Sequence, residues 1–228
     1  FDSGFSSENM TIKLDDYSDR SIGSGDLEYT TEPINTKFEY ANWGSYQIIG
    51  FMAERYFAGY KAADTTLTDT DVSLISSGQM SKVLINEEKS RSVYAGSALI
   101  LEDGYTLNVV EVDRNGDKVF VTLTKDGSEL DSTILSSGTT YVYEKDLGSA
   151  DDVPIVAVHF DQIFQGAETS AVFVNGIFQR CLDSHNELTL VFVCNKLFID
   201  IRKNQSAEYE REDADHDNGK PVVKRRGK

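Results

Sequence analysis

Residues 106–112, TLNVVEV, alternate roughly between apolar and polar side chains, and Asn115-Gly116 follows them. A second apolar run, residues 119–123 (VFVTL), is followed by Asp126-Gly127. Alternation with a period of two is typical of a half-buried strand, and Asn-Gly and Asp-Gly supply the positive φ values that tight hairpin turns require. With a third strand near residues 130–135, this stretch predicts an antiparallel β-meander.

Three more β-branched or apolar runs follow at short spacing, at residues 139–143, 153–160 and 171–178. Pro154 stands near the start of its run, where a strand tolerates proline. Short strands joined by Gly, Asp and Ser are typical of sandwiches and barrels. The fold class that we predict is therefore all-β, with a β-sandwich-like body.

Residues 43–60 fit two patterns. Five of them are spaced as on one face of a helix: Tyr46, Ile49, Ala53, Tyr56 and Tyr60. However, Gly44, Gly50 and Gly59 interrupt the segment, and each glycine inside a helix costs about 1 kcal/mol relative to alanine. We expect two strands that separate at Gly50. Residues 64–80, rich in Thr, Ser and Asp, predict a surface loop or a short helix near residues 69–80.

Acidic side chains dominate the 228 residues, with a formal net charge of −16. Residues 1–179 carry 12 basic and 29 acidic side chains, so the negative charge lies in this part of the chain. Because phosphate and anionic lipid bind to a basic field, we expect no nucleic-acid partner. No apolar run reaches the roughly 18–20 residues of a membrane helix. Since the chain starts at Phe1, we expect it to be a portion of a longer protein, with any export signal or anchor outside it.

Both cysteines, Cys181 and Cys194, lie in the last fifth of the chain. They cannot form the disulfide framework of a small secreted domain, although they could pair with each other. Residues 208–228 combine an acidic cluster with a basic end and contain almost no apolar residues. This composition predicts a disordered charged tail.

Residues 43–60, WGSYQIIGFMAERYFAGY, resemble the signature of the S-layer duplication domain of Methanosarcina-type surface-layer proteins. Further stretches resemble that family in the same order: residues 81–85, 101–107, the hairpin at 125–127, 153–160 and 176–179. The similarity extends from near Leu27 to Gln179. It implies one S-layer duplication-type β domain at residues 1–179, with the family's first strand or strands missing. Residues 180–207 do not match the family pattern and are a candidate β-hairpin.

This resemblance implies a structural, non-enzymatic component of an archaeal coat outside the cell. Its partners would be copies of itself in a porous, negatively charged surface lattice, and membrane anchoring would depend on segments outside this chain. The alternative is a cell-surface adhesin or carbohydrate-binding module. That alternative would use an aromatic cluster made of Trp43, Tyr46, Phe51, Tyr56, Phe57 and Tyr60. Aromatics among aliphatic residues more often form a core or a subunit contact, which we favour.

Few residues are candidates for chemistry. Asp113, Asn115 and Asp117 resemble the first part of a calcium loop and could hold a weak divalent cation, although a solvated hairpin turn is the favoured interpretation. The triplets that begin at Asn9 and Asn204 fit the N-glycosylation sequon. His159 lies within a predicted strand, where we expect a hydrogen-bonded structural role. We recognise no motif of a hydrolase or a zinc protease, and we predict no catalytic residue and no cofactor.

Overall fold

The computed structural model describes residues 8–13, 25–51, 54–75, 79–113, 117–166 and 168–182. Residues 180–182 are thus the described part of the unmatched region, and the predicted tail at 208–228 lies outside the description. Among the described residues there is no helix long and apolar enough to cross a bilayer. The strands, β1 to β15 in chain order, are Glu8–Ile12, Leu27–Thr31, Ile34–Lys37, Ser45–Phe51, Glu54–Tyr60, Val72–Ser73, Val83–Glu87, Arg91–Tyr94, Ala98–Ile100, Tyr105–Val112, Lys118–Lys125, Ser128–Ser136, Thr139–Leu147, Ala150–Gln165 and Ser170–Arg180.

The predicted meander is confirmed. Strands β12, β11, β10 and β9 lie side by side in that order as an antiparallel sheet, which we call the meander sheet. Asp126 and Gly127 adopt φ values of 50° and 81°, and the turn pairs Lys125 with Ser128. The alternation in the sequence corresponds to a buried and an outer face of the meander sheet. Leu107 and its partner Leu123 lie on the buried face.

The three later strands are also confirmed, and each is longer than predicted. Strands β13, β14, β15 and β7 form an antiparallel sheet in that order, and β8 also pairs with β15; we call it the central sheet. Every residue from Val153 to Val158 is buried, so both faces of β14 are covered. A continuous apolar run is what a strand covered on both faces requires.

Residues 43–60 form two strands, as expected, but the position predicted for their separation is wrong. Gly50 lies within β4 and pairs with Arg55, and the ladder continues to the pair Phe51 and Glu54. Strands β3, β4, β5 and β6 form a third antiparallel sheet in that order, which we call the signature sheet. A glycine can occupy a ladder position, so Gly50 did not have to mark the end of a strand.

The short helix considered near residues 69–80 is absent from the described part of that segment, residues 69–75 and 79–80. Val72 and Ser73 instead form β6, and a 3-10 turn spans Ala62–Asp64. Val72 and Leu74 are buried whereas Ser73 is exposed, so the segment alternates with the period of a strand. Its composition concealed this short edge strand, because only these two apolar side chains carry the pattern.

Two glycines of the signature segment are needed for close backbone packing. A Cβ atom on Gly59 would overlap the carbonyl oxygen of Val72, and one on Gly44 would overlap that of Asp64. Both glycines also have positive φ, of 154° and 79° respectively. Glycine is the residue that permits this approach of two chains.

The three sheets share one hydrophobic core. The central sheet lies between the other two, because consecutive residues of β15 face opposite sides. Phe178 packs against Phe38 beside the signature sheet, with ring centroids 4.9 Å apart. Gln179 bonds to the backbone of Glu102 next to the meander sheet, and both of these hydrogen bonds are 2.8 Å long. The sandwich predicted from the sequence is therefore extended by a third layer.

Candidate functional site

The aromatic cluster of the signature segment is core. Trp43, Tyr46, Tyr56, Phe57 and Tyr60 are each 5% exposed or less, and the side chain of Phe51 lies outside the description. The Phe57 and Tyr60 rings lie 4.6 Å apart between centroids. Rings buried to this degree cannot stack on a sugar. The core interpretation is confirmed for the five described rings, four of which belong to the main core, whereas Tyr56 packs in a smaller separate core with Ile49 and Ala58.

Sequence reasoning missed three further members of this cluster, namely Phe38, Tyr40 and Phe178. Phe38 contacts four other rings, at centroid distances between 4.7 and 6.2 Å, so it lies at the centre of the cluster. Phe178 belongs to a motif that resembles the family, and that motif was the available signal for it. Phe38 and Tyr40 precede the signature segment, and no periodicity marks them.

His159 has the hydrogen-bonded structural role that was expected. Its Nδ1 lies 3.1 Å from Thr140 Oγ1, and its ring stacks on Tyr40 with centroids 4.6 Å apart. Trp43 Nε1 donates a hydrogen bond of 3.1 Å to the same Thr140 hydroxyl. Burial lowers the pKa of His159, although the nearby Asp161 opposes this shift. The lowered pKa favours the neutral form of His159, whose ring lies between the signature and central sheets.

Arg180 is the buried charge of the structure that sequence reasoning missed. It is 1% exposed, its guanidinium carbon lies 5.1 Å from the centroid of the Phe57 ring, and its Nη1 donates to Ser81 Oγ at 3.0 Å. Among the described residues no carboxylate forms an ion pair with it, and its Nε has no hydrogen-bond partner. Burial lowers its pKa to about 10, so the side chain still carries its charge at neutral pH.

Cys181 contributes to a polar contact between the central and meander sheets. Its Sγ donates to Asp103 Oδ2 at 3.5 Å, and Lys125 Nζ lies 3.2 Å from the same oxygen. The Lys125 ammonium also lies 4.6 Å from the centroid of the Tyr105 ring. Cys194, the partner considered for Cys181 from the sequence, lies outside the described residues.

The residues of the candidate cation site are only partly described. Asp113 and Asp117 are both exposed on either side of the turn between β10 and β11, and Asn115 lies outside the description. A groove of about 260 Å³ adjoins them and is lined by Glu111, Asp113, Lys118, Val119, Phe120 and Ile134. Within the described ranges no group of three or more His, Cys, Asp or Glu side chains is arranged to hold a metal ion.

Only one of the two candidate glycosylation sites lies within the described residues. Asn9 is exposed in β1, where it pairs with Thr30 of β2. A glycan on this side chain would extend into solvent. Asn204 lies outside the described residues.

Titration shifts elsewhere reflect burial. Burial is the largest cause of the raised pKa of Tyr60, Tyr105 and Tyr141. A raised phenol pKa keeps these side chains protonated near neutral pH, away from the range that general acid–base catalysis uses. They are therefore core residues with polar tips; the Tyr60 hydroxyl, for example, donates to the carbonyl oxygen of Pro154 at 3.2 Å.

The surface combines negative charge with sheet edges. Strands β12 and β13 are terminal strands of the meander and central sheets, and each is nine residues long. Ile134, on the outer face of β12, is 64% exposed. Exposed edges and apolar side chains of this kind are where proteins contact one another.

Comparison with known proteins identifies the family. The family described as S-layer protein matches residues 1–189. The chain is 30% identical over 200 residues to the major S-layer protein of Methanosarcina acetivorans, an alignment that covers 83% of this chain and 27% of that protein. It is 29% identical over 198 residues to the major S-layer protein of Methanosarcina barkeri, with the same coverage of 83% and 27%.

A third relative, the major S-layer protein of Methanosarcina mazei, is 30% identical over 165 residues, which are 68% of this chain and 23% of that protein. The chain thus spans about a quarter of the length of the relatives it matches. The resemblance inferred from the signature segment is confirmed by these matches, although the family match extends beyond the predicted limits of Leu27 and Gln179 at both ends. This chain belongs to the S-layer protein family.

Proposed function

We propose that this chain is a structural module of an archaeal surface layer, a protein coat that is built outside the cell from many copies. The family match over residues 1–189, with relatives described as major S-layer proteins, is the observation that carries the proposal. The module forms a lattice with copies of itself and has no enzymatic role. Its anchoring to the cell depends on segments outside this chain.

The architecture supports a load-carrying role. Three sheets share one core, and the central sheet is covered on both faces, so the layers cannot slide without opening buried apolar contacts. Close-packed interiors of this kind have low compressibility. A rigid module is what a continuous coat requires of its components.

The charge of the chain indicates what such a coat would do to solutes. A formal net charge of −16 creates a negative field, which concentrates cations and repels anions. The pores of a coat assembled from this module would therefore favour cationic and neutral solutes, and nucleic acid would not be a partner.

Two modifications of this function follow from the exposed candidate residues. A weak divalent cation would bind at Asp113, Asn115 and Asp117, and glycans would be attached to Asn9 and Asn204. Exposure of Asn9, Asp113 and Asp117 supports these assignments. Mass spectrometry of glycopeptides from native material tests the glycans, and fully unmodified Asn9 and Asn204 peptides would exclude them.

The adhesin alternative loses its main support, because the five described rings that would have formed a sugar platform are buried. The proposed location is tested by labelling intact source cells with a biotin reagent that does not cross membranes. We expect this protein among the most strongly labelled. Labelling that appears only after the cells are lysed would reject a surface-layer function.

A further inference from the structure

Strand β12, Ser128–Ser136, is an edge that the fold leaves open. It pairs with β11 on one side, and no described residue pairs with its other side. The unpaired N–H and C=O groups of an edge strand are a template for a strand of another molecule.

This edge has fewer of the features by which proteins usually prevent such pairing. Its nine residues include no lysine, arginine or proline, although they include Glu129 and Asp131. Its register with β11 shifts once, at Leu130, and is regular from Asp131 to Ser136. By contrast, β13 is equally long but carries Glu144, Lys145 and Asp146 and two register shifts. The terminal strands β3, β6 and β9 are only four, two and three residues long. Short length, charge and bulges all protect an edge, so β12 is the least protected of these strands.

The outer face of β12 is apolar at two positions. Leu130, Ser132 and Ile134 are exposed, and they alternate with Asp131, Thr133 and Leu135, which are partly buried. Leu130 is 39% exposed and Ile134 is 64% exposed. The partner of Ile134 on β11 is Phe120, which is itself 36% exposed. The outer face therefore presents neighbouring apolar side chains at an open edge.

We propose that β12 pairs antiparallel with β12 of a second copy, about a two-fold axis at Ser132, and joins two meander sheets into one. The proposal rests on the proposed function, because it names the contact through which copies assemble. A two-fold contact uses the same patch on both molecules. With the axis at Ser132, Leu130 of each copy lies opposite Ile134 of the other.

The register follows from faces and charges. Directly opposed residues of two antiparallel strands lie on the same face of the sheet. The two-fold axis must therefore lie between the two copies of one residue, because an axis between neighbouring residues would oppose side chains of different faces. An axis at Asp131 would oppose two Asp131 carboxylates. An axis at Thr133 would place Ile134 opposite Ser132. Only the axis at Ser132 opposes Leu130 and Ile134 while it places Asp131 opposite Thr133, away from the second Asp131 carboxylate.

The contact is expected to be weak for one pair of copies. Each chain carries a formal net charge of −16, and like charges repel at a distance. Salt or divalent cations would strengthen the association by screening this repulsion. In a two-dimensional lattice many such contacts act together, so the individual contact does not need to be strong.

Cross-linking tests the axis directly. Ser132→Cys, in a Cys194→Ser background, is treated with a short bismaleimide at high protein concentration, and we expect a covalent dimer of twice the chain mass. The matched control is Ser128→Cys, on the same strand and also exposed, which should remain monomeric because the two copies of Ser128 lie at opposite ends of the paired strands, far from the axis. Ile134→Lys added to Ser132→Cys should abolish the dimer.

Linkage of Ser132→Cys that does not exceed that of Ser128→Cys would overturn the proposal. So would slow hydrogen exchange, in a monomeric sample, of those β12 amides that point away from β11, because the chain itself would then occupy the edge. Electron microscopy of the same samples separates this proposal from the proposed function. Ordered sheets without the Ser132 link would reject the pairing alone, whereas the link without sheets would retain the pairing and count against the coat.

Discussion

Trp43 Nε1 donates a hydrogen bond of 3.1 Å to Thr140 Oγ1, which lies 97 positions further along the chain. The bond joins the first residue of the signature segment to β13 of the central sheet. Thr140 Oγ1 is also 3.1 Å from His159 Nδ1, so three side chains form one polar connection between the two sheets. The first residue of the signature segment is thus held by contacts with residues far away in the sequence.

We expect Trp43 and Thr140 to be energetically coupled. Thr140→Val keeps the shape and removes the hydroxyl, which should lower the free energy of unfolding by about 1 kcal/mol. Trp43→Phe should cost more, because it also removes buried ring volume. The double variant should lose less than the two single losses combined. Urea unfolding followed by circular dichroism measures all four proteins, and strictly additive losses would contradict the coupling.

Arg180 should be replaceable by an apolar side chain of similar length. Because no described carboxylate pairs with it, Arg180→Met removes a buried charge at the cost of one hydrogen bond to Ser81 and the contact of the guanidinium with the Phe57 ring. Replacement of buried charges by well-packed apolar residues is often neutral or stabilising. We expect the free energy of unfolding of Arg180→Met to lie within about 1 kcal/mol of that of the parent chain. Arg180→Ala, which leaves a cavity, should lose about 3 kcal/mol.

Thermal and urea unfolding of both Arg180 variants provides the measurement. If Arg180→Met loses as much stability as Arg180→Ala, the guanidinium has a strong ionic partner in the native protein, and the account of an ion that is desolvated without a carboxylate is wrong.

His159 should make stability depend on pH below its usual pKa of 6.5. Because the folded pKa is lowered, the unfolded chain binds the proton at a higher pH than the folded chain does. Its contribution to stability is therefore complete above pH 6.5 and decreases as the pH falls toward the folded pKa. His159→Gln should show a flatter profile of urea midpoint against pH in this window, and a profile parallel to that of the parent would count against the prediction.

Binding of a divalent cation should depend on the turn between β10 and β11. We expect Ca²⁺ to bind the parent chain weakly, with a Kd on the order of 1 mM, which is typical of extracellular modules. The variant with Asp113→Asn and Asp117→Asn should not bind it, and Asp151→Asn with Asp152→Asn is a matched control at two exposed carboxylates near the start of β14. Isothermal titration calorimetry checks this, and an absence of heat in the parent would remove the site.

The strand pattern could be predicted from the sequence wherever it repeats. Alternation in residues 106–112 and the Asp126-Gly127 turn were sufficient for the meander, and the continuous run from Val153 to Val158 indicated a buried strand. Gly50 led to a wrong strand boundary, because glycine often marks the end of a strand or helix, whereas here it pairs with Arg55 within a ladder.

Other features depend on contacts that no local pattern encodes. The third layer requires Phe38 to meet Phe178, and a separation of 140 residues carries no periodicity. The burial of Arg180 was equally hidden, because arginine on a strand usually indicates a solvent-exposed position. The sequence also contains the open edge at β12, but only the sheet order reveals that nothing described pairs with its far side.

Electron microscopy tests the central claim most directly. The native protein that contains this chain is concentrated with divalent cations beside the 228-residue chain itself, and negatively stained grids are searched for two-dimensional order. The account predicts thin sheets with a regular repeat for the native protein. A native protein that remains monomeric at every concentration and binds glycans on an array would contradict it.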